Sequence, residues 1–498
     1  MNVNPITRLD YPDPDVIRVE DTYYMVSTTM HFMPGCEILQ SFDLVHWEHV
    51  TYVYETLDHT DAQQLKSGQN IYGQGMWAAS LRYHEGRFYI CFVANDTRKT
   101  YLYTSEKIDG PWKKQLIEGF YHDGSLLFDE DGRNYIVYGN DEIWITELNE
   151  DLTAPKKDGL HRLLVSDHKN PELGYEGSHI QKINGYYYIF LVHSLRDRWM
   201  RTEACFYSDS LEGEFTGGDV LCDDRGYCGQ GVAQGGIVDT PDGKWYAMLF
   251  QDSGAVGRIP ILLPVTWKDH FPVFGQNGHV PEEIEVHSTR PGYIYQPLVG
   301  SDDFCNGLLP RWQFNHDPDP RYYHLDALQG TYTITTREVC TELTQAVNTL
   351  TQRMSYPSCA AEVTVDASAL KEGDVAGLCA FQGCYAAVGI TKHHGKYEVL
   401  MLDKKEDGIL DMTEGTVVES HQMDFRLEAD FCNMKDEARC YYRVNKGDWL
   451  PIGTVHKLYF KLDHFTGCRF GLFCYAAEKT GGSACFRDFK YYDVDEIS

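Results

Sequence analysis

The chain has 498 residues, of which 44 are Lys or Arg and 74 are Asp or Glu, so its formal net charge is −30 at pH 7. A surface this acidic repels phosphate groups, so we expect neither nucleic acid nor a membrane as partner. With 43% apolar and 24% charged residues, the composition excludes a disordered or collagen-like chain.

The N-terminal residues and the cysteines favour a cytoplasmic location. Residues 1–15 lack the basic and apolar segments of a secretory signal. The apolar runs of the sequence fall far short of the roughly 18 residues that a membrane span needs. The fifteen cysteines are scattered without the paired spacing of a disulfide or zinc framework, so we expect reduced thiols.

One pattern recurs five times in residues 1–285: an apolar strand, a tight turn with Gly or Asp, an aromatic pair and a second apolar strand. The five copies lie at residues 16–28, 80–93, 125–139, 178–192 and 236–250. Each copy reads as a β-hairpin. Copies recur every 46 to 65 residues, a period that suits a four-stranded propeller blade. We therefore predict a five-bladed β-propeller over residues 1–285.

The same repeat predicts which side chains meet on the propeller axis. Counting nine residues back from each turn glycine reaches an equivalent position in four blades, and counting eight back from Asp21 reaches it in the first. These positions hold Asp13, Trp77, Asp123, Glu176 and Gln234. They mark the starts of innermost strands, so we expect three carboxylates and an indole ring in one central funnel.

Two carboxylates facing one substrate are the minimum apparatus for glycoside hydrolysis. One must be a protonated acid for the leaving oxygen, and the other must be ionised to activate water or attack the sugar. A third carboxylate nearby raises the pKa of the acid by like-charge repulsion. For the carboxylates, the alternative is that they bind Ca²⁺ or pair with basic residues. For Trp77, the alternative is that its ring packs in the core and does not contact a sugar.

The second half of the chain has a different character. Residues 286–300 read as a linker that runs back over the propeller. From residue 301 to 498, short strands alternate with Gly, Asn and Asp turns, which is typical of a two-sheet β-sandwich. The predicted fold class is therefore all-β, with a five-bladed propeller followed by a β-sandwich.

The segments around the axial residues resemble glycoside hydrolase family 43. The resemblance rests on Tyr-Pro-Asp-Pro at Asp13, Asp-Gly-Ser-Leu at Asp123 and Tyr-Glu-Gly-Ser-His at Glu176. Residues 301–320 and 483–493 are similar to the concanavalin A-like domain at the C-terminus of family 43 xylosidases. The resemblance implies a five-bladed propeller and an inverting reaction, in which the acid and base carboxyls lie roughly 6.5–9.5 Å apart.

The resemblance also implies roles for individual residues. Asp13 matches the general base that activates water, and Glu176 matches the general acid. Asp123 matches the residue that orients the acid and modulates its pKa. Arg258 matches an arginine that hydrogen-bonds sugar hydroxyls.

Some positions depart from the family pattern. Many members place a His on the axis, where it holds water or Ca²⁺, whereas this chain has Gln234. We therefore expect no metal ligand and no required cofactor, and a structural Ca²⁺ near the axis stays an alternative. Met30 and Phe32 stand where xylosidases of the family carry a bulkier aromatic cluster. We predict Met30, Phe32, Trp77, Gln234 and Arg258 to be the substrate-binding residues.

The predicted function is an exo-acting inverting glycosidase of xylan degradation that releases terminal β-D-xylose from xylo-oligosaccharides. We expect α-L-arabinofuranosidase activity as well, because the two sugars present similar hydroxyl patterns. The alternatives are a dedicated α-L-arabinofuranosidase acting on arabinoxylan or arabinan fragments and a non-catalytic sugar-binding propeller. A retaining fructosidase needs Asn-Asp-Pro and Arg-Asp-Pro motifs, which this chain lacks. The expected partner is a small oligosaccharide. Assembly into a homo-oligomer and closure of the funnel by the sandwich stay open.

Overall fold

The first part of the chain forms five consecutive four-stranded antiparallel sheets. The computed structural model describes residues 3–493. The strands of this part are β1 (Asp15–Val19), β2 (Thr22–Ser27), β3 (Phe32–Met33), β4 (Gly35–Ser41), β5 (Glu48–Tyr54), β6 (Met76–His84), β7 (Arg87–Ala94), β8 (Lys99–Ser105), β9 (Lys113–Ile117), β10 (Ser125–Phe128), β11 (Asn134–Asn140), β12 (Glu142–Leu148), β13 (His161–Ser166), β14 (Glu176–Ile183), β15 (Tyr186–Ser194), β16 (Arg201–Ser208), β17 (Thr216–Leu221), β18 (Val232–Asp239), β19 (Trp245–Asp252), β20 (Arg258–Lys268) and β21 (Phe271–Phe274). All of these except β3 belong to a blade, so the predicted five-bladed propeller is confirmed.

The first strand of each blade is the innermost one. β1, β6, β10, β14 and β18 contact one another in sequence, and β18 contacts β1, which closes the ring. These strands are shielded on both sides, and β18 for instance is buried over nearly its whole length. The ring therefore brings the starts of five strands to one end of the axis.

In the second and fourth blades, a bulge lengthens the count to the axial position relative to the first blade. β6 and β14 each carry one extra residue relative to the partner strand, between Trp77 and Ser80 and between Glu176 and His179. β1 pairs with β2 without any register shift. A bulge re-aims the side chain beside it, and here it turns Trp77 and Glu176 at the end of the strand.

The second part of the chain is a sandwich of two antiparallel sheets, as predicted. Its strands are β22 (Gln313–Asn315), β23 (Tyr323–Asp326), β24 (Thr331–Thr335), β25 (Leu350–Arg353), β26 (Ser358–Asp366), β27 (Asp374–Phe381), β28 (Ala386–His393), β29 (Lys396–Lys404), β30 (Leu410–Met412), β31 (Thr416–Val418), β32 (Gln422–Asp430), β33 (Glu437–Arg443), β34 (Leu450–Lys457), β35 (Arg469–Ala476) and β36 (Ser483–Asp493). One sheet has the order β3-β22-β25-β35-β27-β28-β29-β30, with β31 also on β29, and the other has the order β23-β24-β36-β26-β32-β33-β34. Their inner faces enclose the largest apolar cluster of the molecule, which includes Phe425, Phe470 and Phe486.

The two parts share a sheet. β3 leaves the first blade and pairs with β22, so that Met33 lies opposite Phe314. The strands of the propeller end at Phe274 and those of the sandwich begin at Gln313. The predicted boundaries at residues 285 and 300 fall between these strands and stay predictions.

Helical structure within residues 3–493 consists of four 3-10 helices. They span Lys66–Gly68, Gly254–Val256, Leu343–Gln345 and Cys432–Met434. In the described part of the chain, none of these helices has the length or the apolar character needed to cross a membrane.

Candidate active site

Asp13 lies just before β1 and is held by one hydrogen bond from a hydroxyl group and one from a guanidinium group. Thr28 donates its hydroxyl hydrogen to Oδ2 at 2.6 Å, and Arg258 donates from Nη1 to Oδ1 at 3.0 Å. Only 7% of the residue is exposed, and its backbone adopts a left-handed φ of 52°. A non-glycine residue in this conformation costs about 1 kcal/mol or more and is found at sites where geometry matters. Asp13 thus forms a buried ion pair with Arg258.

Asp123 and Glu176 come from neighbouring blades and meet at the axis. Asp123 precedes β10 with a φ of 48° and accepts the backbone N–H of Gly177 on Oδ2 at 2.9 Å. Burial, together with the charges of Glu176 and Asp13 and against the opposing charge of His122, raises the pKa of Asp123 to about 6. The structure thus contains the predicted group of three interacting carboxyls. Within this group the raised pKa is that of Asp123, which the sequence analysis predicts to modulate the pKa of the general acid.

His122 and Asn140 were missed by the sequence analysis. The Nε2 of His122 lies 3.4 Å from Oε2 of Glu176 and 3.5 Å from Oδ2 of Asp123, and Nδ2 of Asn140 donates to Oε2 of Glu176 at 2.7 Å. Burial lowers the pKa of His122, but the charges of Asp123, Glu176 and Asp13 outweigh it and raise the pKa to about 9. His122 is the direct neighbour of a predicted site residue, and that adjacency was the available signal.

Trp77 and Arg258 form the wall of the site together with a loop of the sandwich. The ring of Phe465 lies 5.5 Å from that of Trp77, and the guanidinium of Arg258 lies 4.2 Å above the same Phe465 ring. The Nε1–H of Trp77 and the Nε–H of Arg258 are buried and have no hydrogen-bond partner among the described residues. Buried donors of this kind cost free energy unless a ligand satisfies them.

Arg201 is a second buried arginine that the sequence analysis missed. Its Nε donates to Asp252 at 2.8 Å, and its pKa is raised mainly by the Asp252 charge, with smaller contributions from Glu176 and Asp13, against the effect of burial. Arg201 and Arg258 lie 5.2 Å and 5.4 Å from the ring of Phe250, which separates the two cations. Two arginines therefore offset part of the negative charge of the funnel.

Gln234 lies under the catalytic group in β18, again with a left-handed φ, here 68°. Its backbone N–H donates to Oε2 of buried Glu203 at 2.7 Å, and burial holds the pKa of Glu203 well above its usual range. A Cβ atom on Gly177 would come within 2.7 Å of Cγ of Gln234, so the side chain of Gln234 packs directly against the backbone next to Glu176.

The structure places Met30 and Phe32 in packed surroundings. Both are 1% exposed. Met30 forms a backbone bridge with Met76, and the guanidinium of Arg469 lies 3.4 Å from the centre of the Phe32 ring. Phe32 belongs to an apolar cluster composed mainly of sandwich residues. Their assignment to substrate contact stays a prediction, and this burial favours a supporting role in the wall of the site.

The candidate metal ligands of the site do not match the preference of Ca²⁺. His122, Asp123 and Glu176 form a group of described residues whose ligand atoms lie within 4.8 Å of one another. Ca²⁺ prefers six to eight oxygen ligands, and an imidazole whose pKa is about 9 carries its proton near neutral pH. With two carboxyls and one imidazole, the group falls short of that number of oxygen ligands and does not fit a Ca²⁺ site.

Taken together, the site contains Asp13, which is paired with Arg258, and a group of two carboxyls and an imidazole in which the pKa values of Asp123 and His122 are raised. The wall between them carries aromatic rings and unsatisfied donors. This is the apparatus of a glycosidase built on a β-propeller.

Comparison with known proteins identifies the family. Residues 3–272 match the model of Glycosyl hydrolases family 43, and residues 301–492 match the model of the Beta xylosidase C-terminal Concanavalin A-like domain. The chain therefore belongs to glycosyl hydrolase family 43, an inverting family of glycosidases whose members are typically independent of cofactors. The resemblance inferred from the motifs is confirmed.

Two curated relatives and one solved structure define the neighbourhood of the chain. A Beta-xylosidase of Formosa agariphila is 26% identical over 99% of this chain and 89% of that protein. A Xylosidase/arabinosidase of Butyrivibrio fibrisolvens is 24% identical over 99% of both. The structure of a bifunctional family 43 protein of Bacteroides eggerthii, titled GH43-CE, matches with a TM-score of 0.92 and 42% identity. The match covers 99% of this chain and 64% of that longer protein.

Proposed function

We propose that the protein is an exo-acting, inverting glycosidase that releases terminal β-D-xylose from short xylo-oligosaccharides and also releases α-L-arabinofuranose. The observation that supports it most directly is that Asp13, paired with Arg258, shares one site with the interacting group of His122, Asp123 and Glu176. Relatives named Beta-xylosidase and Xylosidase/arabinosidase supply the sugar class.

In the proposed reaction, Asp13 accepts a proton from a water molecule, and the oxygen of that water attacks the anomeric carbon. The bond from this carbon to the glycosidic oxygen breaks, and that oxygen takes the proton of Glu176. Water attacks from the face opposite to the leaving group, so the anomeric configuration inverts. Asp123 holds Glu176 in its working position through Gly177, whose N–H it accepts.

An exo mode of action is favoured by the loop of the sandwich at residues 459–467. Phe465 on this loop covers Arg258, and its backbone oxygen accepts a hydrogen bond from Nη2 of Arg258 at 3.4 Å. A wall at this point leaves room for the end of a sugar chain and obstructs passage of an internal segment. We propose that this loop limits the substrates to short oligosaccharides.

The deciding experiment measures kcat/KM for 4-nitrophenyl β-D-xylopyranoside and 4-nitrophenyl α-L-arabinofuranoside side by side, together with xylobiose. The proposal expects cleavage of xylobiose, with the xyloside as the better aryl substrate. Cleavage of the arabinofuranoside alone would define a dedicated α-L-arabinofuranosidase, and sugar binding without turnover would define a binding propeller. Proton NMR of the first-formed xylose checks inversion, and the α anomer is expected.

Two further expectations belong to this proposal. The partner is a small oligosaccharide, and size-exclusion chromatography with light scattering tests whether copies of the chain associate. A cytoplasmic location is proposed from the sequence, and fractionation of the source cells tests it.

A further inference from the structure

The two oxygens of the Glu176 carboxyl group have different surroundings. Both hydrogen bonds that side chains within residues 3–493 make to this group end on Oε2. Asn140 donates at 2.7 Å, and His122 approaches through Nε2 at 3.4 Å. Oε1 is left without a partner among the same residues.

The two donors stand on one rigid frame. His122 precedes β10 and Asn140 ends β11, so both belong to the third blade, whereas Glu176 begins the fourth. The backbone N–H of Gly139 donates to the carbonyl of His122 at 3.0 Å, which ties the two donors together. A backbone bond from Asp141 to Tyr175, at 2.8 Å, joins the two blades next to Glu176.

We propose that His122 and Asn140 clamp Oε2 of Glu176, so that Oε1 is the oxygen that carries the catalytic proton and delivers it to the glycosidic oxygen. His122 acts here as a positioning residue. The inference rests on the proposed glycosidase function and deepens it, because it assigns the proton to one atom of the general acid.

The clamp suits both halves of the proton transfer. When the Oε1–H bond breaks, the proton goes to the leaving oxygen, and the negative charge on the new carboxylate is shared with Oε2. At that oxygen an amide N–H is already in place, with an imidazolium beside it, and charge-assisted bonds of this type are the strong ones. The other charged groups around His122 are Asp13 and Asp123, with Arg201 and Arg258 further along the wall. Asp123 and Asp13 raise the pKa of His122 even while Glu176 holds the catalytic proton, and ionisation of Glu176 adds to this, so that the pKa reaches about 9.

The kinetic test uses His122→Phe, with His122→Gln as the conservative variant that keeps a donor. We expect His122→Phe to lower kcat/KM for xylobiose roughly 10- to 100-fold, which is part of the usual contribution of a general acid. Hydrolysis of 2,4-dinitrophenyl β-D-xyloside, whose leaving group needs no proton, should change far less. Loss of a cation beside the carboxyls should also move the alkaline limb of the pH profile upward by about one unit. His122→Gln should recover part of the rate on xylobiose, but the alkaline limb of its pH profile should stay shifted upward.

The matched control is His84→Phe. His84 belongs to the same strand ring, stacks on Phe128 at 4.6 Å and lines a cavity among the far ends of the innermost strands. It should leave the substrate ratio and the pH profile unchanged. Equal losses on both substrates in His122→Phe, with an unmoved alkaline limb, would show that His122 only packs and would overturn the proposal.

A spectroscopic test does not depend on turnover and therefore separates failure of the clamp from failure of the proposed function. In protein labelled with ¹³C and ¹⁵N at histidine, the His122 signal is assigned by its loss in His122→Gln. The clamp predicts an imidazole that titrates near pH 9 and whose pKa falls in Glu176→Gln. An imidazole that titrates near pH 6.5 and whose pKa is the same in Glu176→Gln would overturn the clamp, whether or not the enzyme hydrolyses the pentosides.

Discussion

At the scale of single residues, Asp13 adopts a strained backbone conformation that fixes the geometry of its reactive carboxylate. Its left-handed backbone would be relaxed in glycine, yet Thr28 and Arg258 hold the carboxylate between them. Both partners are buried, so the orientation of Asp13 is fixed before substrate arrives. This preorganisation is what a general base needs, because it removes reorientation from the barrier.

Replacement of Asp13 by Asn should abolish turnover on every substrate, since activation of water is needed whatever the leaving group is. We expect a loss of 10³-fold or about that order in kcat/KM, alike for xylobiose and for dinitrophenyl xyloside. Calorimetric titration with xylose should still detect binding. Asp21→Asn, which changes a half-buried carboxylate of the same blade that pairs with Arg290, serves as control. Turnover near that of the unmodified enzyme would remove Asp13 from the mechanism.

Replacement of Glu176 by Ala should discriminate between substrates, in contrast to the Asp13 variant. Xylobiose needs its leaving oxygen protonated, so its hydrolysis should fall about 10²- to 10⁴-fold. The dinitrophenyl xyloside should retain most of its kcat. The ratio of the two losses is the measurement, and equal losses on both substrates would argue against Glu176 as the acid.

At the scale of elements, the blades were predictable and the contacts between them were not. Each blade begins with a hairpin whose partners are near in sequence, so its period appears directly in the chain and locates Asp123 and Glu176. His122 reaches Glu176 across 54 residues, and Arg258 reaches Phe465 across 207. Such pairs depend on how the ring closes and where the sandwich docks, and no local pattern encodes that. The bulge residues in β6 and β14 were likewise visible only as a one-residue irregularity in the count.

The loop at residues 459–467 offers a clean test at this scale, because two glycines of the propeller differ only in what they touch. Gly73 has a φ of 67°, and a Cβ atom there would lie 2.4 Å from the carbonyl oxygen of Leu462 in the loop. Gly68 has a φ of 75° and open space around it. Both Gly→Ala changes should cost about 1 kcal/mol of stability through backbone strain, and Gly73→Ala should cost more because its Cβ atom meets the backbone of the loop.

Only Gly73→Ala should disturb catalysis, because only it displaces the loop that carries Phe465. We expect its KM for xylobiose to rise several-fold while Gly68→Ala keeps the parent value. Thermal unfolding of both variants verifies that each is folded at the assay temperature. If KM rises equally in the two, the loop does not shape the substrate site.

At the scale of the whole molecule, the sandwich and the propeller are joined by buried charged and aromatic groups. Asp10 accepts the backbone N–H of Arg258 on one oxygen and that of Gly467 on the other, at 2.7 Å and 2.8 Å. Arg353 of the sandwich forms a buried ion pair with Glu37 of the first blade at 2.8 Å. The wall of the active site is thus part of the domain interface, so the stability of the interface and the geometry of the site are linked.

Three histidines make this interface sensitive to acid. His31 of the propeller lies 5.0 Å from His316 and 5.7 Å from His464, both of the sandwich, and neither ring nitrogen of His31 has a hydrogen-bond partner among the described residues. Burial lowers the pKa of all three, to about 4 for His464. The charges nearest to them are those of Asp463, Lys404 and Arg469.

The sign of the pH dependence follows from linkage. An unfolded histidine binds a proton below about pH 6.5, whereas His464 in the folded protein does so only near pH 4. Folding therefore releases protons in this window, and stability is lost as the pH falls from 6.5 to 4. Glu37 acts in the same direction at lower pH. Burial raises its pKa, but Arg353 and His49 more than offset this and lower it to about 2, so its contribution is lost below about pH 4.5.

We therefore expect the melting temperature to fall between pH 7 and pH 4.5, with His464 contributing roughly 2 kcal/mol and the other two buried histidines acting in the same direction. His31→Phe removes one of these groups without leaving a hydrogen-bond partner unsatisfied, so it should melt near the parent temperature at pH 7 and lose less stability at pH 4.5. His324→Phe, at an exposed position of the sandwich, is the control and should keep the parent slope. Differential scanning calorimetry at both pH values gives the two slopes. An unaltered slope in His31→Phe would mean that the acid sensitivity arises elsewhere in the molecule.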